Sequence, residues 1–139
     1  MKNVFILSVL TLFSALVVSC KDNDDYSEIT DVYATKIDSV HIPMDTMTIG
    51  VTQEMKLYST FRKGCEGIYS YDYQYTNDTV RTVANFAYKT NDPCLEGTYV
   101  DGSKVNFRPT KTGIYTFKFY TGKDTTGANT FLQKKVVVE

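Results

Sequence analysis

Tryptophan is absent from this 139-residue chain, histidine occurs once and proline three times. The single imidazole, His41, sits in Val40-His41-Ile42-Pro43 without a partner motif. No GxSxG, HExxH or glycine-rich phosphate loop is present, so nucleophilic, zinc and nucleotide chemistry have no sequence support. Sixteen acidic residues are enough in number to supply a glycosidase pair. Such a pair must flank a cleft about 5–10 Å across, which a small β domain seldom provides. The expectation is therefore no enzyme, no catalytic residue, no metal and no cofactor. An excess of either charge is also missing: the formal net charge is −1. That balance argues against nucleic acid as a partner, which a basic surplus would announce.

What the chain does have is a distinctive beginning. Lys2 precedes an apolar run from Val4 to Val18, broken only by Ser8, Thr11 and Ser14. Its length of about fifteen residues suits the hydrophobic part of an export signal and is short for a membrane span. The run ends in Val17-Val18-Ser19-Cys20 and turns at once to Lys21-Asp22-Asn23-Asp24-Asp25. This resembles the lipobox of bacterial lipoproteins, with an aliphatic residue three before the Cys and a small one just before it. The resemblance implies cleavage after residue 19, a diacylglycerol on the Cys20 thiol and an acylated new amine. Fatty chains at about 0.8 kcal/mol per buried methylene would then hold the protein on a membrane without a spanning helix. The acidic residues after Lys21 resemble the surface-export signal of Bacteroidetes lipoproteins, which implies the outer membrane and its outer face. Residues 20–35 are expected to form a solvated tether. Asp22 to Asp25 lack the glycine turn and distal Glu of a calcium loop.

From residue 36 onward, alternation of apolar and polar residues replaces any helical period. Strands are expected over Ile37 to Ile42 and Thr46 to Thr52, the latter with Met47, Ile49 and Val51 on one face. Met55 to Phe61, Tyr69 to Tyr75, Thr79 to Lys89, Ile114 to Tyr120 and Phe131 to Val138 follow. Tyr99-Val100 and Val105 to Phe107 flank an expected turn at Asp101-Gly102. Seven to nine such strands predict an antiparallel sandwich, with an eight-stranded lipocalin-like barrel as the alternative. The segment Pro109-Thr110-Lys111-Thr112-Gly113-Ile114-Tyr115-Thr116-Phe117 resembles the tyrosine corner of immunoglobulin-like domains. That resemblance covers residues 36–139 and implies a sandwich of the fibronectin-III or PKD kind. Phe117 stands where antibody domains carry their second core Cys, and Tyr71 has a spacing suited to replacing their core Trp. Setting Cys20 aside leaves Cys65 and Cys94, an even pair in an oxidising compartment, and a disulfide is predicted between them. Closing a loop of about thirty residues stabilises a fold by roughly 3–4 kcal/mol in the chain-entropy description.

Two further features bear on function. Period two puts Tyr69, Tyr71, Tyr73 and Tyr75 on one strand face. Polar Ser70, Asp72 and Gln74 between them favour an inward tyrosine face, with central rings in the core and Tyr69 and Tyr75 exposed at its ends as a binding patch. The alternative is an outward face, on which the four rings form a ladder suited to stacking on sugars or packing against a protein. Asp38-Ser39-Val40, Asp45-Thr46-Met47, Asp78-Thr79-Val80 and Asp124-Thr125-Thr126 each resemble the Bacteroidetes O-glycosylation signal, which marks Ser39, Thr46, Thr79 and Thr125. Ordinary turn chemistry also clusters Asp with Ser and Thr. Taken together, the sequence predicts a lipid-anchored envelope lipoprotein with a non-catalytic module for a glycan or protein partner. The alternative is a structural subunit that contacts its neighbours through an edge strand.

Overall fold

The computed structural model describes residues 27–139. The expected signal at residues 1–19, the lipidation site Cys20 and the tether up to residue 26 lie outside the described residues. Nine strands and no helix are found among those that are described. They are β1 (Ile29–Thr35), β2 (Ser39–His41), β3 (Thr46–Met47), β4 (Gln53–Arg62), β5 (Glu66–Tyr75), β6 (Val80–Thr90), β7 (Thr98–Phe107), β8 (Gly113–Lys123) and β9 (Asn129–Val138). Ile29–Thr35, expected within the tether, is instead an ordered strand paired with β6 from Ile29↔Thr90 to Thr35↔Asn85.

Two sheets face each other. One has six strands, in the order β1-β6-β8-β9-β3 with β5 also paired to β6, and the other has the order β2-β4-β7. Strand β5 occupies one side of β6, while β8 (beside Val80–Val83) and β1 (beside Asn85–Thr90) share the other. The larger sheet is mixed, which corrects the purely antiparallel expectation: β3·β9 and β6·β8 are parallel pairs. The parallel β6·β8 pair arises because β7, lying between them in the chain, crosses to the other sheet and pairs with β4. Two separate sheets also exclude the closed barrel.

The core follows from alternation on facing strands. Odd positions Met55, Leu57 and Phe61 of β4, Val105 and Phe107 of β7, and Tyr115, Phe117 and Phe119 of β8 are buried. Even positions Val136 and Val138 of β9 close it. The Phe107 ring meets Tyr115 and Phe117 edge-on, at centroid distances of 5.1 and 5.0 Å, a favoured arrangement for aromatic quadrupoles. Tyr115 Oη donates to Lys111 O at 3.0 Å, fixing the approach to β8. The chain passes between sheets at Lys36–Asp38, where Ile37 N donates to Tyr120 O of one sheet and Asp38 N to Tyr58 O of the other.

Several local expectations are corrected. After Met47 the chain turns at Thr48–Val51, with Val51 N donating to Thr48 O, so Ile49 and Val51 are exposed loop residues. Asp101-Gly102 is no turn: both residues lie inside β7, opposite Ser59 and Tyr58. Glycine lets the Tyr58 ring lie close over the strand: a Cβ there would sit 3.1 Å from a ring carbon, and the ring would have to shift by a few tenths of an ångström. Cys65 and Cys94 form a disulfide, with Cα atoms 4.8 Å apart. Backbone bonds from Leu95 N to Lys63 O and from Thr90 N to Cys65 O tie the same two loops together.

One polar chain crosses the apolar interior. Ser103 Oγ donates to Asn85 Oδ1 at 2.7 Å, Asn85 Nδ2 to Ser59 Oγ at 3.0 Å, and Ser59 Oγ to Lys36 O at 2.8 Å. It links both sheets with the crossover, and each buried group has a partner, which is the condition for keeping polar atoms there. Asn85→Ala would strip two of these bonds and orphan the Ser103 hydroxyl, a loss of about 2–3 kcal/mol. Urea unfolding should show it; a change under about 0.5 kcal/mol would deny the chain its linking role.

Candidate functional site

The β5–β6 hairpin gathers most of the chemistry that lies outside the core. Its turn is built by Asn77, whose Oδ1 accepts from Thr79 N at 2.9 Å and Val80 N at 2.8 Å. That geometry aims the turn carbonyls at Arg81. Arg81 Nη1 donates to Asn77 O and Val80 O, and Nη2 donates to Asp78 O at 3.0 Å. Its side chain is 6 % exposed, and Nε has no partner. No described carboxylate pairs with it, since Asp78 pairs with Lys111 at 3.3 Å on the surface. The guanidinium instead lies between aromatic faces, 4.2 Å from the Tyr75 centroid and 5.4 Å from that of Tyr115. Ring quadrupoles attract a cation, most strongly where water is excluded.

Strand β5 carries the tyrosines, and its pairing with β6 decides where they point. Ile68 lies opposite Ala87 on the inner side, but the register then shifts, and Ser70 lies opposite Phe86 on the outer side. Tyr69 is the extra residue of this bulge and pairs with nothing on β6. Beyond it, Tyr71, Tyr73 and Tyr75 lie opposite Asn85, Val83 and Arg81, on the side that faces the smaller sheet. Cross-strand partners share a sheet face, so this is the inner side. The three-stranded sheet does not extend far enough to cover β5. Tyr69 is therefore 56 %, Tyr71 44 % and Tyr75 73 % exposed. The expectation that the central rings fill the core is overturned. Tyr71 in particular is no substitute for a core Trp, and only Tyr73 is half-buried. Tyr73 and Tyr75 meet edge to face at 5.5 Å.

The opposite face of the hairpin opens a groove of about 440 Å³. Small Ala34, Ala84 and Thr82 form its floor, and Tyr120 and Phe131 stand over it with ring centroids 6.2 Å apart. Asp72 and Gln74 of β5 line its other side, with Gln74 Nε2 donating to Asp72 Oδ2 at 2.6 Å. Arg81, Tyr120 and Phe131 were not singled out from sequence. The signal for them was present only as alternation whose inner side cannot be told from hydropathy: on β6 the inner residues are Arg81, Val83, Asn85 and Ala87, while Phe86 and Tyr88 face outward.

The remaining expected sites are scattered. His41 is exposed at the end of β2, beside Asp45, Lys134 and Lys135 around a cleft of about 160 Å³. Ser39 and Thr46 are exposed on the short strands β2 and β3, and Thr125 is exposed in the β8–β9 loop. Thr79 is half-buried in the hairpin turn, where its carbonyl accepts from Thr116 N. Asp124 Oδ1 accepts from Thr126 N, Thr126 Oγ1 and Ala128 N. These bonds, led by the Thr126 hydroxyl, hold its carboxyl below the usual range. Turn chemistry accounts for Asp124 without modification.

Burial pushes the Tyr73 phenol up to about 12, and the Arg81 charge opposes that rise without cancelling it. A phenol raised in the folded state adds stability that is fully present below its unfolded value near 10 and is lost as pH climbs through 12. Absorbance titration at 295 nm should show a late-ionising component that shrinks by one tyrosine in Tyr73→Phe. A Tyr73→Phe profile identical to wild type would refute the assignment. A scan against protein-family models and searches of curated proteins and of solved structures each returned no match, so the functional reading rests on this geometry and on the sequence.

Proposed function

We propose that this chain is a lipid-anchored lipoprotein of the bacterial cell envelope, exposed on the outer membrane, whose β domain is a non-catalytic module for a glycan or protein partner. The observation that carries the reading is the row of tyrosines on β5 left uncovered by the smaller sheet. Exposed aromatic rings with hydroxyl tips combine an apolar face with a hydrogen-bonding edge, the combination found in binding hot spots. The groove behind the same strand adds Asp72, Gln74 and Thr82 beside two aromatic rings, and their planar or hydroxyl groups suit the alternating donors and acceptors of a sugar. The lipobox-like Val17-Val18-Ser19-Cys20 supports the anchor, and the acidic residues after it support surface export. The bond from Tyr115 Oη to Lys111 O supports an immunoglobulin-like kinship for the domain, while the parallel β6·β8 pair departs from that pattern.

A second reading, a structural subunit joined through an edge strand, is favoured by one feature: among the described residues β6 is the single strand with which β5 forms a ladder. A glycan array with the full chain tests the first reading. Tyr69→Ala and Tyr75→Ala should each weaken an observed signal by about tenfold, the scale of a truncated aromatic hot spot. Absence of any glycan signal, or a signal indifferent to both changes, would remove glycan capture by this row and leave a protein partner.

A further inference from the structure

We infer that β5 pairs with β5 of a second copy of this chain, antiparallel and centred on Tyr73, joining two molecules through one continuous sheet. The inference rests on the edge-strand reading and names its partner. Free strand edges invite pairing, and proteins blunt them by shortness, charge, proline or bulges. The other edges described here are so blunted. Strands β2 and β3 are three and two residues long, and the stretches of β4 and β9 that they leave unpaired carry Glu54 and Arg62, and Lys134 and Lys135. Strand β7 carries Asp101 and Lys104, and β1 carries Asp31 at a register break. Strand β5 is bulged at Tyr69, but from Ser70 to Tyr75 it runs unbroken, without proline, lysine or arginine. Its one charge in that run is Asp72.

Self-pairing about a two-fold axis perpendicular to the sheet keeps each residue on its own face, so the axis must pass through a residue position. Centring on Asp72 would set two carboxylates directly opposite each other, which is destabilising. Centring on Tyr73 places Tyr73 against Tyr73, Tyr71 against Tyr75 and Asp72 against Gln74. Every tyrosine then has a tyrosine partner on the uncovered side. Each carboxylate has an amide donor on the groove side, a role that Gln74 already plays toward Asp72 within one chain. The result would be six tyrosines side by side on the exposed flank of a doubled sheet, and a groove continued across the axis.

The register makes a sharp test. Opposed residues have Cα atoms about 4.5–5.5 Å apart, within disulfide range, whereas position 74 and its own copy would stand about 8 Å apart, beyond it. The full chain purified in mild detergent, carrying Tyr73→Cys, should cross-link under gentle oxidation, and Gln74→Cys should not, above the background that wild type sets. Two charge changes at the exposed Gln74 guard against a misfolded Cys variant. Gln74→Lys should tighten the dimer about fivefold by sedimentation, and Gln74→Asp should loosen it about as much, the effect of two symmetric cross-strand pairs. Cross-linking at both positions, or at neither, overturns the register. A chain that stays monomeric at every concentration overturns self-pairing and leaves the edge open to a different strand. A dimer indifferent to both charge changes at position 74 overturns the edge reading itself.

Discussion

A sheet of six strands faces a sheet of three, and a face can be dry only where another layer covers it. The strands β4 and β7 cover β8 and most of β6, which is where Leu57, Phe117, Phe119 and Val83 become inaccessible. Strand β5 lies one step further out. Its inner residues inherit the orientation of core side chains without the layer that would bury them. Apolar burial contributes roughly 25 cal/mol per Å² of surface removed from water, so tyrosines in this position contribute little to the fold. They remain available to whatever approaches from outside.

The same width mismatch explains the unusual placement of a cation. Arg81 lies on the inner face of β6, at the margin where the cover ends, and burying a lone charge is costly unless hydrogen bonds compensate. Three turn carbonyls and two ring faces supply that compensation here. The turn carbonyls would otherwise need water or other donors, so the arrangement serves both sides. It also holds the ring of Tyr75 at one end of the row, because the guanidinium lies over one of its faces and Tyr73 meets it edge to face. A stacking surface held in one orientation loses less side-chain entropy when it binds than a freely rotating one.

Much of the strand pattern was legible because period-two alternation is a local property: β4 and β8 have their buried residues at the positions the alternation indicates. The Cys65–Cys94 bridge was legible for a different reason, since cysteine arithmetic needs only a count and a compartment. What failed was non-local. Alternation in Tyr69 to Tyr75 says that one face is aromatic and the other polar, but not whether a second layer reaches that far. The bulge at Tyr69 further breaks the single-face reading, and nothing in the residue types there announces an extra residue. On β6 hydropathy points the wrong way, since Phe86 and Tyr88 are outside while Arg81 and Asn85 are inside. Asn85 is inside because Ser59 and Ser103 wait for it on the opposite sheet, a partnership between residues 26 and 18 positions away. Asp101-Gly102 was misread for a related reason: the glycine answers the Tyr58 ring on the neighbouring strand rather than a turn.

The bulge has a structural consequence beyond register. Before it, the start of β5 is held from three directions: by the disulfide at Cys65, by Tyr99 Oη donating to Glu66 O at 2.7 Å, and by β6. After it, the strand has β6 alone among the described residues, and the turn at Asn77 to Val80 anchors its far end. A segment clamped at both ends and open along one side cannot fray as a terminus does, yet it keeps its outward amides and carbonyls unmatched. Rigidity and unmet pairing capacity together are what a docking edge requires, since a floppy strand would lose ordering entropy on contact and a covered one would have nothing to offer. The sequence between Ser70 and Tyr75 adds the selectivity, with aromatic rings toward one side and an acid–amide pair toward the other.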